Sequence, residues 1–283
     1  MKIDMHVHIL SPDFIKDIKK NIERDAHFKL LHSNPKAKFA TAEDVLMEMD
    51  KTGIDKSVIF GFSCLDMGMS KEANDYIIDV VKRYPDRFIG FAIVPPNHPE
   101  MEKELIRCAE AGLKGVGEII PDAVHVDISK QDEIGKFAAV CQKLKFPILM
   151  HANELIGHYY PGKGKMGPEQ AYLFAVNNPE NTIIYAHWGG GLFFYELMPE
   201  VRKNLKNVYY DNAASPYLYK PQVYEAARSA GVLDKVVLGS DFPLLSPARY
   251  YREWSKTNLT EEEKMKINGE NAYKILFSDK NID

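Results

Sequence analysis

Eight short apolar clusters rich in β-branched and aromatic residues recur along the chain, at residues 3–9, 57–62, 88–94, 115–120, 147–152, 182–187, 208–212 and 236–240. Runs of that length bounded by turn residues predict strands. The stretches between them carry apolar positions at helical spacing. Thr41-Ala42-Glu43-Asp44 has the form of a capping box ahead of Val45, Leu46 and Met49, and Gly53 stands where the helix should end. Ser70 is expected to open a second helix that stops before Pro85, a third runs from Pro99 to Gly112, and Thr260 with Glu263 repeats the capping-box pattern.

Strands alternating with helices predict βα units around a parallel sheet. Eight such units in 283 residues match a (β/α)8 TIM barrel better than an open doubly wound sheet. No linker-like composition divides the chain, so one domain over residues 1–283 is expected. Two connections are long, at residues 10–40 and 153–168. Both are expected to lie over the C-terminal face of the barrel as lids or substrate-binding loops.

Composition narrows the function classes. With 45% apolar and 27% charged residues the chain reads as a folded globular protein. The net charge of −4 has no basic stripe behind it, which argues against nucleic acid or membrane as partner and leaves a small-molecule substrate. No apolar run is long enough to span a bilayer, and Met1-Lys2-Ile3-Asp4 leads into a strand rather than a signal peptide. Cys64, Cys108 and Cys141 are odd in number and widely spaced, which suits buried thiols in a reducing cytoplasm. Cytoplasmic localisation is therefore expected, with a homodimer among the assemblies compatible with the sequence.

Chemistry is sought at the strand ends, where such barrels carry it. In the first strand Ile3, Met5, Val7 and Ile9 alternate with Asp4, His6 and His8, so the period of two predicts the apolar set against the helices and the polar set inside. Unpaired, each buried polar group would cost about 1–3 kcal/mol; a divalent cation held by the imidazoles removes that cost. Glu118, His151 and His187 end the fourth, fifth and sixth strands, and Asp241 follows the eighth. The expected metal ligands are thus His6, His8, Glu118, His151, His187 and Asp241. Zn2+ is the expected ion, one or two per chain, with Mn2+ or another transition metal as an alternative.

Asp4-Met5-His6-Val7-His8, strand-end His151, Ala186-His187-Trp188-Gly189-Gly190-Gly191, Gly239-Ser240-Asp241-Phe242-Pro243 and Asn268-Gly269-Glu270-Asn271-Ala272 together resemble the amidohydrolase superfamily. The H-W-G-G-G and G-S-D-F-P phrases are most similar to its amidohydrolase-related branch, which includes decarboxylases like aminocarboxymuconate semialdehyde decarboxylase. Many binuclear members carry a carboxylated lysine at the fourth strand. Here Glu118 stands in that place and could bridge two ions, as in TatD-like hydrolases, or stand behind a single ion held by His6, His8, His151 and Asp241.

The resemblance implies a metal-dependent hydrolase of a small-molecule amide, lactone or ester, in which metal-activated water attacks, Asp241 moves its proton and His187 completes the second metal site or polarises the substrate. The alternative is a metal-dependent non-oxidative decarboxylase of a small unsaturated or aromatic acid; a TatD-like nuclease is disfavoured by the charge. Asp4 is a candidate to orient an imidazole. Trp188, Tyr159 and Arg249 are candidate substrate contacts, with His158 and Tyr160 beside Tyr159, and His27 and His32 are taken as exposed or lid residues. Gly162-Lys163-Gly164-Lys165-Met166-Gly167 matches G-x-G-x-x-G, but no tight strand-to-helix turn holds it, so it is read as a basic loop available to an anionic substrate.

Overall fold

The computed structural model describes residues 1–277; the last six residues of the expected 1–283 domain lie outside the described residues. Eight parallel strands form the barrel: β1 (Ile3–His8), β2 (Lys56–Phe60), β3 (Phe88–Ala92), β4 (Gly115–Ile119), β5 (Ile148–Met150), β6 (Ile183–Tyr185), β7 (Val208–Asp211) and β8 (Val236–Val237). They are hydrogen-bonded in chain order. β8 is short, and the segment after it closes the barrel through Leu238 O, which accepts from Met5 N at 2.8 Å, and Phe242 O, which accepts from His8 N at 2.8 Å. The fold is the (β/α)8 barrel expected from the alternation.

Pleat alternation sorts the strand residues into two cores. Val58, Phe60, Ile89, Phe91, Leu149, Ile184 and Val237 fill the barrel, floored by Ala272. Ile59, Val116, Ile148, Ile183, Val208 and Val236 pack outward among helix residues. β1 departs from a single period of two. Asp4 pairs with Ser57 but Val7 pairs with Ile59, so Met5 and His6 of β1 oppose Val58 alone in β2. Such a bulge switches faces. Ile3 and Met5 therefore join the interior cluster, whereas Val7 and Ile9 join the outer one. The expectation that all four lie against the helices fails at this bulge.

Asp4 is correspondingly not a partner of the site imidazoles. Its carboxylate accepts from His6 N at 3.2 Å and Ser240 N at 2.8 Å, stitching β1 to the segment that closes the barrel. Burial raises its pKa to about 6.

Capping chemistry places the helices. The Thr41 hydroxyl accepts from Asp44 N while Asp44 accepts from Thr41 N, and Gly53 ends the helix Ala42–Thr52. Thr260 and Glu263 form the same reciprocal pair. Ser70 does not open its helix. That helix runs Met67–Arg83, capped one turn earlier by the Asp66 carboxylate, which accepts from Gly68 N and Met69 N. In the tail phrase, Asn271 donates to Leu233 O and Val236 O, fixing the last helix under β8.

Residues 10–40 contain the short helices Pro12–Lys16, Ile18–Asn21 and Ala26–His32. Their apolar faces make a small core, with Leu10 and Phe28 packed on Cys64, Met69 and Phe62. His32 belongs to it: its ring lies 4.2 Å from Phe28 and 4.5 Å from Phe62, and its Nδ1 donates to Phe28 O. His32 is therefore buried, not exposed. Residues 153–167 are held from below by Asp122, whose carboxylate accepts from Lys165 N and Met166 N. The Lys163 ammonium donates to Ile156 O and His158 O, so it staples its own loop and is not free for an anionic substrate. All three cysteines are buried, and no helix among the described residues is long and apolar enough to cross a membrane.

Burial of the His32 ring lowers its pKa from 6.5 to about 4. Its folded form favours the neutral ring, so its contribution is complete above pH 6.5 and is lost as pH falls from 6.5 towards 4, amounting to about 3 kcal/mol at most. His32→Phe should flatten this part of the stability curve. Denaturation midpoints of both proteins measured across pH 4–7 check it; parallel curves would remove His32 as the cause.

Candidate metal centre and its cavity

Six potential ligands converge above the interior core as two triplets, His6–His8–Asp241 and Glu118–His151–His187, with the donor atoms of each triplet within 4.8 Å of one another. Glu118 joins them. Its Oε2 lies 3.6 Å from His6 Nε2 and 3.5 Å from His8 Nε2, while its Oε1 lies 2.8 Å from His151 Nδ1 and 3.5 Å from His187 Nε2. Asp241 Oδ1 stands 3.7 Å and 3.6 Å from the same two Nε2 atoms.

Several local features aim these groups. Gly117 has φ +126°, and a Cβ there would lie 2.2 Å from Leu149 O; only glycine lets β4 approach β5 closely enough to turn Glu118 inward. His187 (φ 54°), Trp188 (φ 61°), Ala214 (φ 53°) and Asp241 (φ 60°) adopt the left-handed conformation that L-residues avoid. Each costs roughly 1–2 kcal/mol, and such strain collects at functional sites. Gly190 continues the left-handed run after His187, where a Cβ would strike the Asn153 carbonyl.

The hydrogen bonds on the far side of each ring assign its tautomer. His6 Nδ1 meets Asp211 Oδ2 at 2.8 Å, His8 Nδ1 meets Gly61 O at 3.0 Å, and His187 Nδ1 meets Ala213 O at 3.0 Å. These partners only accept, so each Nδ1 carries a hydrogen and each neutral ring presents a lone pair from Nε2. His151 is held the other way round, with Nε2 on Asn153 Oδ1 and Nδ1 facing inward. Two inward pairs, His6–His8 and His151–His187, then stand at 3.2 Å. With both rings of a pair neutral, facing lone pairs would repel at that distance, so a proton or a cation must lie between them. Ligands bonded at about 2.0–2.1 Å to one tetrahedral ion stand roughly 3.3 Å apart, so the donor set fits a cation.

Electrostatics agree. Burial disfavours the Glu118 anion, but His151 and His6 overcome it and hold the carboxyl well below its usual range. Burial likewise opposes charge on His6 and His187, yet Asp211 and Glu118 raise the former well above 6.5 and Glu118 raises the latter to about 9. This is a negative, buried pocket that demands positive charge.

Asp211 and Asn153 were not picked out from sequence. Asp211 ends β7 as His151 follows β5, so extending the strand-end test to β7 would have found it; Asn153, two residues past its strand, gave no periodic signal. Phe62 was also missed, and its ring stacks on His8 at 4.3 Å with a 6° interplanar angle. The candidate substrate contacts fare differently. Trp188 is fully buried, its Nε1 donating to Ser215 Oγ and its ring packed on Phe193 and Tyr224, so no face is left for substrate. Tyr159 points to solvent, and its neighbour Tyr160 lines the cavity instead. Arg249 lies on the helix Pro247–Trp254, faces Glu253 at 3.4 Å and is not among the lining residues. His158 and His27 do line it.

The cavity above the donors has a volume of about 610 Å3. His8, Glu118, His151, His187 and Asp241 face it from below, and the two long connections supply its walls together with Phe62 after β2 and the segments after β7 and β8.

The chain belongs to the amidohydrolase family, whose model matches residues 3–277. Among solved structures it is similar to 5-carboxyvanillate decarboxylase from Sphingomonas paucimobilis, at 14% identity and TM-score 0.78, covering 97% of this chain and 98% of that one. It is also similar to 5-carboxyvanillate decarboxylase from Novosphingobium aromaticivorans, solved with manganese and 4-hydroxy-3-methoxy-5-nitrobenzoic acid, at 18% identity and TM-score 0.73 over 98% and 96% of the two chains. A third, named a probable 2-pyrone-4,6-dicarboxylic acid hydrolase, from Acinetobacter baumannii with citric acid bound, matches at 18% identity and TM-score 0.63 over 97% and 98%.

If Asp211 fixes the His6 tautomer, Asp211→Asn should weaken metal binding about 10- to 100-fold, because an amide can donate to Nδ1 and put the hydrogen on Nε2. Asp4→Asn should leave metal affinity nearly unchanged, since Asp4 bonds Ser240 and the backbone of His6 and no imidazole. Chelator competition on both variants measures this. Equal losses would reassign the orienting role.

Proposed function

We propose that this protein is a metal-dependent, non-oxidative decarboxylase of a small aromatic or unsaturated acid. The observation that carries the reading is the make-up of the cavity: a floor of metal donors under walls bearing the flat rings of Phe62, Tyr160 and Tyr217. That shape suits a planar ring acid. The names of two similar structures, both decarboxylases of an aromatic acid, support the same choice, and the bound manganese of one supports a divalent ion without favouring zinc.

A divalent ion at the donors would hold the substrate carboxylate and a neighbouring oxygen and draw electron density from the ring. The chain's own task is proton delivery. When the carbon–carbon bond breaks, its electron pair stays on the ring carbon, carbon dioxide leaves, and that carbon must take a proton. Asp241 is the proposed donor, since it lines the cavity and, with its side chain 15% exposed, can be reprotonated from solvent. Its carboxyl becomes carboxylate as the ring gains hydrogen, which balances the step. His187, with Nε2 inward and Nδ1 on Ala213 O, would hold a substrate oxygen or complete the second metal position.

The hydrolase reading uses the same donors with water as nucleophile, and the 2-pyrone-4,6-dicarboxylic acid hydrolase named among the similar structures keeps it as the rival. A panel of hydroxylated benzoates, 5-carboxyvanillate, lactones and esters, assayed with manganese and with zinc in deuterium oxide, separates them. Decarboxylation predicts carbon dioxide release with one deuterium at the vacated carbon. Ring opening or ester cleavage without carbon dioxide would replace this reading with hydrolysis. Asp241→Asn should still bind an aromatic acid but lose about 10²- to 10⁴-fold in turnover; near-full activity would remove Asp241 as the proton donor.

A further inference from the structure

A second cavity, of about 260 Å3, lies apart from the donors, between the short helices of residues 10–40 and the helix Met67–Arg83. Leu10, Phe14, Phe28, Met69 and Ala73 line it, and of these Leu10, Phe28 and Met69 are buried. An apolar cavity of about 150 Å3 is enough to take up benzene, so this one has room for a substituted ring. Its charged lining is acidic only, Asp13 and Glu72. Glu72 is neutralised by Arg24, whose Nη1 and Nη2 donate to it at 2.7 and 2.9 Å. Asp13 stands exposed at the rim. An aromatic acid would bring a second negative charge beside Asp13, whereas a hydroxyl would donate to it. Phe62 alone among the described residues lines both cavities. Its ring stacks on His8, a candidate metal donor, at 4.3 Å and meets Phe28 edge to face at 5.6 Å. A molecule seated against these rings therefore bears on the partition that holds His8.

We propose that this second cavity is an effector site for a small uncharged phenol, coupled through Phe62 to the metal centre. The ring fills the apolar part and the hydroxyl donates to Asp13 at the rim. The cavity and its coupling stand apart from the decarboxylase reading, but the choice of a phenol over an ammonium compound rests on it. Decarboxylation of a hydroxylated aromatic acid removes the carboxylate and leaves a molecule of this class. Charge then sorts the two: the acid is drawn to the metal donors, while the neutral product is accepted by the second cavity, from which it acts back on the His8 ring.

Crystals of the manganese-loaded protein soaked with 4-bromophenol test the site through the anomalous scattering of bromine. A peak beside Phe28 and Met69 is expected; bromine at the metal donors only, or nowhere at millimolar concentration, would overturn the proposal. In solution, calorimetry should show phenol binding with saturating benzoate present, because the two probes occupy different cavities. Ala73→Leu, which fills the second cavity from the helix Met67–Arg83, should weaken phenol at least about tenfold while manganese content and the benzoate constant stay put. Ala73→Val, a smaller change, should weaken it in the same direction and serves if the leucine variant does not fold. Phenol should shift the manganese dissociation constant at least about twofold, and manganese should shift the phenol constant by the same factor. Strict competition between phenol and benzoate, full phenol affinity in the Ala73 variants, or a manganese constant indifferent to phenol would each overturn it. No turnover is read, so a failure of the decarboxylase reading would show as absent carbon dioxide release with phenol still bound beside Phe28.

Discussion

One fully buried carboxylate, Asp211, connects most of what the site needs. Its Oδ2 takes the His6 Nδ1 hydrogen while its Oδ1 accepts from the backbone of His187 and Ala213. Each contact matters because the alternative is an uncompensated charge in a dry interior. The same group therefore sets the tautomer of a candidate ligand in one triplet and the backbone of a candidate ligand in the other. The left-handed conformations of His187, Trp188 and Ala214 are affordable because these bonds over-determine the turn. Asp211 can do this only from the end of β7, between β6 and the segment that follows β8, so the closed barrel is itself a condition of the site.

The excursion after β1 carries a second dependence. Its small core meets the barrel at Phe62, and the other face of the Phe62 environment is His8. Stacked on His8 and bracketed by His32 and Phe28, this ring transmits the packing of residues 10–40 to a metal donor. One wall of the cavity and the orientation of His8 are coupled by direct ring contact. A change that loosens the excursion should be felt first in the plane of the His8 ring.

Much of this was legible in the sequence, and the failures have physical reasons. The eight strands, the barrel and the convergence of His6, His8, Glu118, His151, His187 and Asp241 follow from period and position, because parallel strands bring their C-terminal ends to one face whatever the helices do. Side-chain direction within a strand is less secure. One bulge moved Ile3 and Met5 inside and turned Asp4 into a backbone stitch, and no sequence period announces a bulge. Ser70 lost the capping role to Asp66 because both are good caps four residues apart and only packing decides between them. Tyr159 and Tyr160 differ by one position, and a loop without a period gives no ground to choose. Trp188 follows a candidate ligand and reads in sequence as a substrate platform, but the left-handed turn that aims His187 inward sends the next ring into the wall.

Charge links the number of ions to the reaction. Glu118, Asp241 and Asp211 place three carboxylates around four imidazoles whose tautomers are neutral when ligating. One divalent ion leaves this assembly negative, and an anionic substrate makes it more so. A proton carried in with the substrate would offset that charge, and Asp241, whose side chain is the more exposed of the two lining carboxylates, is the group the proposed decarboxylation uses to deliver one. Two divalent ions would leave the assembly positive instead, the state that the rival hydrolase reading would use to stabilise a hydroxide. Glu118 turns one oxygen to each triplet, so its position is compatible with one ion or with two, and the proposed chemistry is tied to the count of ions per chain as well as to the identity of the ligands.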